Sequence, residues 1–153
     1  MANAYLIPGL EATPRAIQLI VEAVDPSHFD VRTDPERFSL REAVAHIADW
    51  EAIIRERMTA ALEAPGSTVK AYDEGQLAID REYALRNPVE EANRFLAERT
   101  KTVALVKGFS EENWGRVVVH SVRGEMTLYD QANLVLGHDL YHIEHLTQYL
   151  RLG

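Results

Sequence analysis

Apolar residues recur at helical spacing in four long stretches of the chain. The first runs from about Thr13 to Val24, where Ile17, Ile20, Val21 and Val24 mark one face. The second opens at Ser39. Ser39 and Glu42 form an S-x-x-E capping pattern, and Ala43, Ile47, Trp50, Ile54, Met58 and Ala61 then make an apolar stripe that ends before Pro65. The third opens at Asn87 with Pro88 at the first helical position, continues through Phe95, Leu96, Val103 and Leu105, and stops at Gly108. The fourth opens at Thr127, where T-x-x-D to Asp130 is again a capping pattern, and runs to the C-terminus. Between them, Leu77, Ile79, Tyr83 and Leu85 are compatible with a short helix within residues 70–86, and the β-branched segment 117–127 reads as extended. Pro8-Gly9, Pro26, Pro35, Pro65-Gly66 and Gly124 read as breaks. Four long helices without a convincing sheet predict an all-α four-helix bundle.

Length changes this picture little: 153 residues suit one domain spanning 1–153. A net charge of −8 argues against a general affinity for nucleic acid or anionic membranes. No run approaches the roughly 18–20 apolar residues of a membrane-spanning helix. The N-terminus lacks a basic start followed by an apolar run, so no signal peptide is expected and a cytoplasmic location is. Cysteine is absent, which removes disulfides, thiolate ligands and a cysteine nucleophile together.

The candidate chemistry lies in histidines. His138 and His142 are four residues apart in GHDLYHIEHLTQYLR, and His46 lies upstream in SLREAVAHIADWE. An i, i+4 pair stands about 6 Å apart on one helix face, so two imidazoles can converge on one ion and a third must come from another helix. At about 100° per residue, His138, His142, His145 and Tyr149 share one side of the fourth helix. Leu136, Leu140, Ile143 and Leu150 cluster nearly opposite. The leucine face is expected in the core or a subunit interface, and the histidine face toward a cleft. Three neutral imidazoles suit Zn, Ni or Fe.

Four segments together resemble the DinB/YfiT-like superfamily, a group regarded as metalloenzymes: FSLREAVAHIADWE (38–51), the Phe95–Leu105 helix with FSEENWGRVV (109–118), HSVRGEMTLYDQANLV (120–135) and GHDLYHIEHLTQYLR (137–151). The resemblance covers nearly the whole chain. It implies a four-helix bundle, a homodimer, and a divalent metal held by His46, His138 and His142. One departure stands out. Relatives often carry Gln three positions after the second paired histidine, where this chain has His145. Pairing of His142 with His145 is therefore an alternative, although the T-L-Y-D register favours His138 with His142. His145 is open to three roles: fourth ligand, proton carrier or plain cleft residue.

Asp49, one turn from His46, is a candidate general base or a partner for a ligand imidazole. Glu144 is a second candidate base. Asp139 reads as a surface acid, Trp50 and Trp114 as packing anchors, and His120 as a residue of the cleft mouth or an ordinary loop histidine. Tyr141 and Tyr149 read as packing residues able to hydrogen-bond a substrate. The resemblance implies a small-molecule substrate. It includes S-transferases and an isomerase that use low-molecular-weight thiols such as bacillithiol or mycothiol, and a supposed hydrolase activity. A non-catalytic dimer that binds a small ligand or metal is the competing class.

Overall fold

The computed structural model describes residues 3–152. Five α-helices are present: α1 (Leu6–Ala23), α2 (Leu40–Glu63), α3 (Glu74–Asp80), α4 (Pro88–Lys107) and α5 (Leu128–Thr147). Three short strands, β1 (Thr68–Val69), β2 (Val117–His120) and β3 (Gly124–Thr127), form one sheet in the order β1-β2-β3. The long helices α1, α2, α4 and α5 build the expected four-helix bundle. Helices α1 and α2 each pack on α4 and α5, so consecutive α1 and α2 stand on a diagonal. Residues 24–39 carry the chain across it.

The capping signals act as the sequence suggests. Ser39 with Glu42, and Thr127 with Asp130, form reciprocal capping boxes that satisfy backbone N–H groups at the starts of α2 and α5. Asn87 accepts from the N–H groups of Val89 and Glu90, and Pro88 follows it at the first helical position. The segment 117–127 is a hairpin turning at Gly124, whose φ of 77° suits glycine. Strand β1 pairs parallel to β2, with Val69 opposite His120. This small sheet was not expected from the sequence.

Helix α1 starts earlier than the periodicity predicts, and it runs through Pro8-Gly9 and Pro14. Pro8 lies in the first turn, where a missing N–H costs no helical hydrogen bond. Gly9 meets α5 closely: a Cβ there would lie 3.0 Å from Leu136 Cδ1. Pro14 is interior and buried, and it leaves the carbonyl of Leu10 without its i+4 donor. That carbonyl accepts instead from Arg99 Nη1 of α4 at 3.0 Å.

Arg99 is the largest fully buried side chain of the bundle. Its Nε and Nη2 donate to Glu51 of α2 at 2.7 and 2.8 Å. Its Nη1 and Nη2 donate to Asp139 of α5 at 2.6 and 3.0 Å. Nη1 also donates to Thr13 Oγ1 of α1 at 3.0 Å, and that hydroxyl donates to Asp139. One guanidinium thus ties all four bundle helices. Burial alone would lower its pKa, but Glu51 and Asp139 more than offset this and hold it above the ordinary arginine value. Asp139, expected on the surface, is 1% exposed.

Helix α5 is turned the other way from the leucine-in reading. His142, His145, Leu146 and Tyr149 are buried, whereas Leu140 and Leu150 are exposed. The polar partners inside the bundle make a polar face the buried one. On α2 the predicted stripe is buried throughout.

Removing one member of a buried ion cluster strands the others. Arg99→Met is expected to lower unfolding free energy by about 3–5 kcal/mol, read by urea denaturation. A loss within about 0.5 kcal/mol, the range of ordinary surface substitutions, would contradict the tying role.

Candidate metal centre

Two helices bring three imidazoles together. His46 comes from the second turn of α2, and His138 and His142 from successive turns of α5. The Nε2 of His138 lies 3.0 Å from His46 Nε2 and 3.1 Å from His142 Nε2. Among the described residues these three form the group of potential ligand atoms that converge, all within 4.8 Å of one another. His46 and His142 are buried and His138 is half-buried.

The donor set fits a divalent ion. Nitrogens bonded at about 2.0–2.1 Å to a tetrahedral ion stand about 3.3 Å apart, close to the spacing seen here. Burial keeps the rings neutral: it pushes the pKa of His46 down to about 3 and that of His138 to about 4, and drives that of His142 lower still. Neutral imidazoles have lone pairs to offer. The Nδ1 atoms of His46 and His142 are buried and have no hydrogen-bond partner within the protein. The orientation of these rings therefore rests on packing. His46 stacks on Trp50 with centroids 5.8 Å apart and leans on Phe38 at 5.4 Å.

A cavity of about 470 Å³ opens beside the cluster. Its walls include Arg37 and Phe38 from the 24–39 connection, Glu74 at the start of α3, and His138, Tyr141, His142 and His145 of α5. Arg37 lies 4.2 Å over the Tyr141 ring and donates to the Tyr141 carbonyl and to Glu144, each at 3.2 Å. This fastens the connection to α5. Glu144 is exposed and engaged there, on the outer side of the helix.

The remaining sequence candidates fall in distinct places. His145 lines the cavity but stands outside the converging group. Its Nε2 is buried without a partner, and burial and the charge of Arg37 push its pKa down to about 4. Asp49 points away from solvent into a cationic cluster. Its carboxylate accepts from Arg81 at 2.7 Å, Arg94 at 2.6 Å and the Tyr83 hydroxyl at 3.0 Å. Burial works to raise its pKa, but these partners win and hold it below the ordinary value. A carboxylate so stabilised is a poor base. It fixes Tyr83 instead, whose ring lies 6.5 Å from His46. His120 is buried, and its Nδ1 accepts the backbone N–H groups of Val122 and Arg123. Sequence reasoning did not single out Arg37 or Arg99. The signal for Arg99 was a lone cationic residue on the apolar side of the third helix.

In the unfolded chain these histidines titrate near 6.5. In the folded, metal-free chain His46, His138 and His145 accept protons only at about 3 to 4. Between those values the unfolded state holds more protons, so stability falls as pH falls. The melting temperature of metal-free protein is expected to drop progressively from pH 7 to pH 4. His142→Gln, which removes one such group, is expected to flatten the drop.

Known proteins resemble this chain in sequence and in fold. The DinB superfamily profile matches residues 9–146. A protein of Oceanobacillus iheyensis named as a putative metal-dependent hydrolase is 28% identical over 110 residues, which are 71% of this chain and 62% of that one. The chain thus spans less than two thirds of that relative. YfiT from Bacillus subtilis, described as a probable metal-dependent hydrolase with an unusual four-helix bundle topology, superposes with a TM-score of 0.90 at 22% identity, over 95% of this chain and 84% of that chain. A mycothiol-dependent maleylpyruvate isomerase superposes with a TM-score of 0.75 at 13% identity, over 92% of this chain and 59% of the isomerase. With its bundle topology and a profile match over nearly its full length, the chain belongs to the DinB superfamily.

Proposed function

We propose that the chain is a metal-dependent enzyme in which His46, His138 and His142 hold one divalent ion and a small molecule reacts in the adjoining cavity. The observation that carries this reading is the approach of three neutral Nε2 atoms beside an open cavity of about 470 Å³. His46, His138 and His142 would hold a Zn, Ni or Fe ion as neutral ligands that leave its full charge, and the ion would supply a Lewis acid able to lower the pKa of a water or thiol. His145 is neutral at pH 7 and lines the cavity, where its unpartnered Nε2 hydrogen-bonds and orients the reacting molecule. Arg37, fixed over Tyr141, presents a cation at the cavity wall that orients the substrate. Phe38 shields His46 from water. Asp49 acts by positioning, through Tyr83.

Hydrolysis is the first reading, supported by the descriptions of the Oceanobacillus and Bacillus relatives. Transfer to or from a low-molecular-weight thiol is the second, favoured by the likeness to the mycothiol-dependent isomerase. This chain has no cysteine, so a thiol must come from outside. Pairing of two copies is part of the same reading, through the exposed Leu140 of α5 and Leu150 in the turn that follows it. The deciding assay loads the protein with metal and compares ester hydrolysis with thiol addition to an aromatic electrophile.

Turnover is expected in one of the two assays and is expected to stop on chelation. His46→Ala, His138→Ala and His142→Ala are each expected to lose stoichiometric metal, by elemental analysis, while far-ultraviolet circular dichroism stays helical. His145→Ala is expected to keep its metal and lose about 10²-fold in kcat, the cost of a misplaced reacting group. Should His145→Ala lose metal while His138→Ala keeps it, the ligand set is His46, His142 and His145.

A further inference from the structure

Arg57 of α2 is 5% exposed, yet among the described residues no carboxylate pairs with it. Its Nη2 donates to the Lys70 carbonyl at 2.6 Å. Its Cζ lies 5.2 Å from the centre of the Trp50 ring and 5.9 Å from that of Tyr72. One carbonyl and two aromatic faces do not neutralise a guanidinium, which has five N–H donors to satisfy. Its other nitrogens are not sealed from solvent. They can meet a ligand.

Two further donors lie close by: His120 pairs across the sheet with Val69, the chain neighbour of Lys70, and Arg123 stands in the turn that follows His120. Arg123, in the turn between β2 and β3, is exposed and makes no ion pair among the described residues. His120 is near enough to both arginines to feel their charge, and its Nδ1 accepts two backbone N–H groups at 3.2 Å. That assigns the ring proton to Nε2, which becomes a donor without a protein acceptor. Lys70 borders the same side of Arg57. Glu74 is near enough to Arg123 to feel its charge, and Glu56 lies at the edge of the groove beside Arg57, but both are exposed and neither pairs with these arginines. The local balance is positive on a chain whose net charge is −8.

The cluster adjoins the histidine centre. Trp50 is the shared neighbour: its ring lies 6.0 Å from His138 and 5.8 Å from His46, and Arg57 lies over it. Arg57 follows His46 by three turns of α2 on the same face. Arg123 is near enough to His138 to act on it electrostatically.

We propose that Arg57, Arg123 and the Nε2–H of His120 form a receptor for a carboxylate or phosphate group of the molecule that reacts at the histidine centre. The link to that reaction rests on the proposed function. The anion receptor itself does not. Planar guanidinium forks bind both oxyanions in bidentate fashion, and a buried fork beside aromatic walls does so with little competition from water.

The test uses metal-free protein carrying Trp114→Phe, so that Trp50 is the remaining indole. Intrinsic fluorescence is titrated with inorganic phosphate and, separately, with acetate at constant ionic strength. A saturable change with either anion is expected, and the stronger of the two names the oxyanion class. Arg123→Gln, an exposed substitution, is expected to weaken that affinity about tenfold or more while leaving metal affinity unchanged. Arg57→Gln is expected to do the same, with its fold checked by circular dichroism. No saturable change with either anion, or equal affinity in Arg123→Gln, overturns the receptor. Because the titration needs no metal, it fails independently of the metal reading, which the histidine variants test.

Discussion

The bundle depends on one buried guanidinium. Arg99 reaches α1 through Leu10 and Thr13, α2 through Glu51 and α5 through Asp139. A charge in a low-dielectric interior is tolerable only when its donors are matched, and here each nitrogen of the fork has an acceptor. The match requires a carbonyl that no helical N–H has claimed. Pro14 supplies it, because the residue that lacks the donor frees the Leu10 oxygen. A helix-disfavouring residue and a buried arginine are thus two halves of one arrangement.

That arrangement also sets the histidines. Asp139 follows His138 on α5, and Glu51 follows Trp50 on α2. Sliding or rotating either helix would break bonds to Arg99 and separate the Nε2 atoms in the same motion. The ion cluster and the histidine cluster lie side by side across the same pair of helices. This explains how rings whose Nδ1 atoms lack partners are still held in convergence. Helix position holds these rings as hydrogen bonds to the ligands hold the rings of metal sites.

Much of the fold was legible. Capping boxes at Ser39 and Thr127, the Asn87-Pro88 start and the apolar stripe of α2 are local signals, and local chemistry decides them. The convergence of His46 with His138 and His142 was legible as spacing plus family resemblance. The facing of α5 was not. Periodicity assumes that the apolar side turns inward, yet the buried positions of α5 are Leu128, Gln131, Ala132, Val135, Asp139, His142, His145 and Leu146. They keep helical spacing while mixing polar with apolar types, so a hydrophobic count selects the opposite face. Asp139 was misread as a surface acid for the same reason, since its partner stands 40 residues away on α4. The start of α1 was missed because Pro8 and Pro14 signal breaks unless their tertiary context is known.

The diagonal step between α1 and α2 has an evolutionary side. It leaves residues 24–39, rather than a helix, as one rim of the cavity, with Arg37 and Phe38 beside the histidine cluster. Loops accept insertions and exchanges that a bundle interior rejects. Descendants of this architecture can therefore retune which compounds they admit by rewriting that rim, while the arginine knot and the imidazole trio stay as they are.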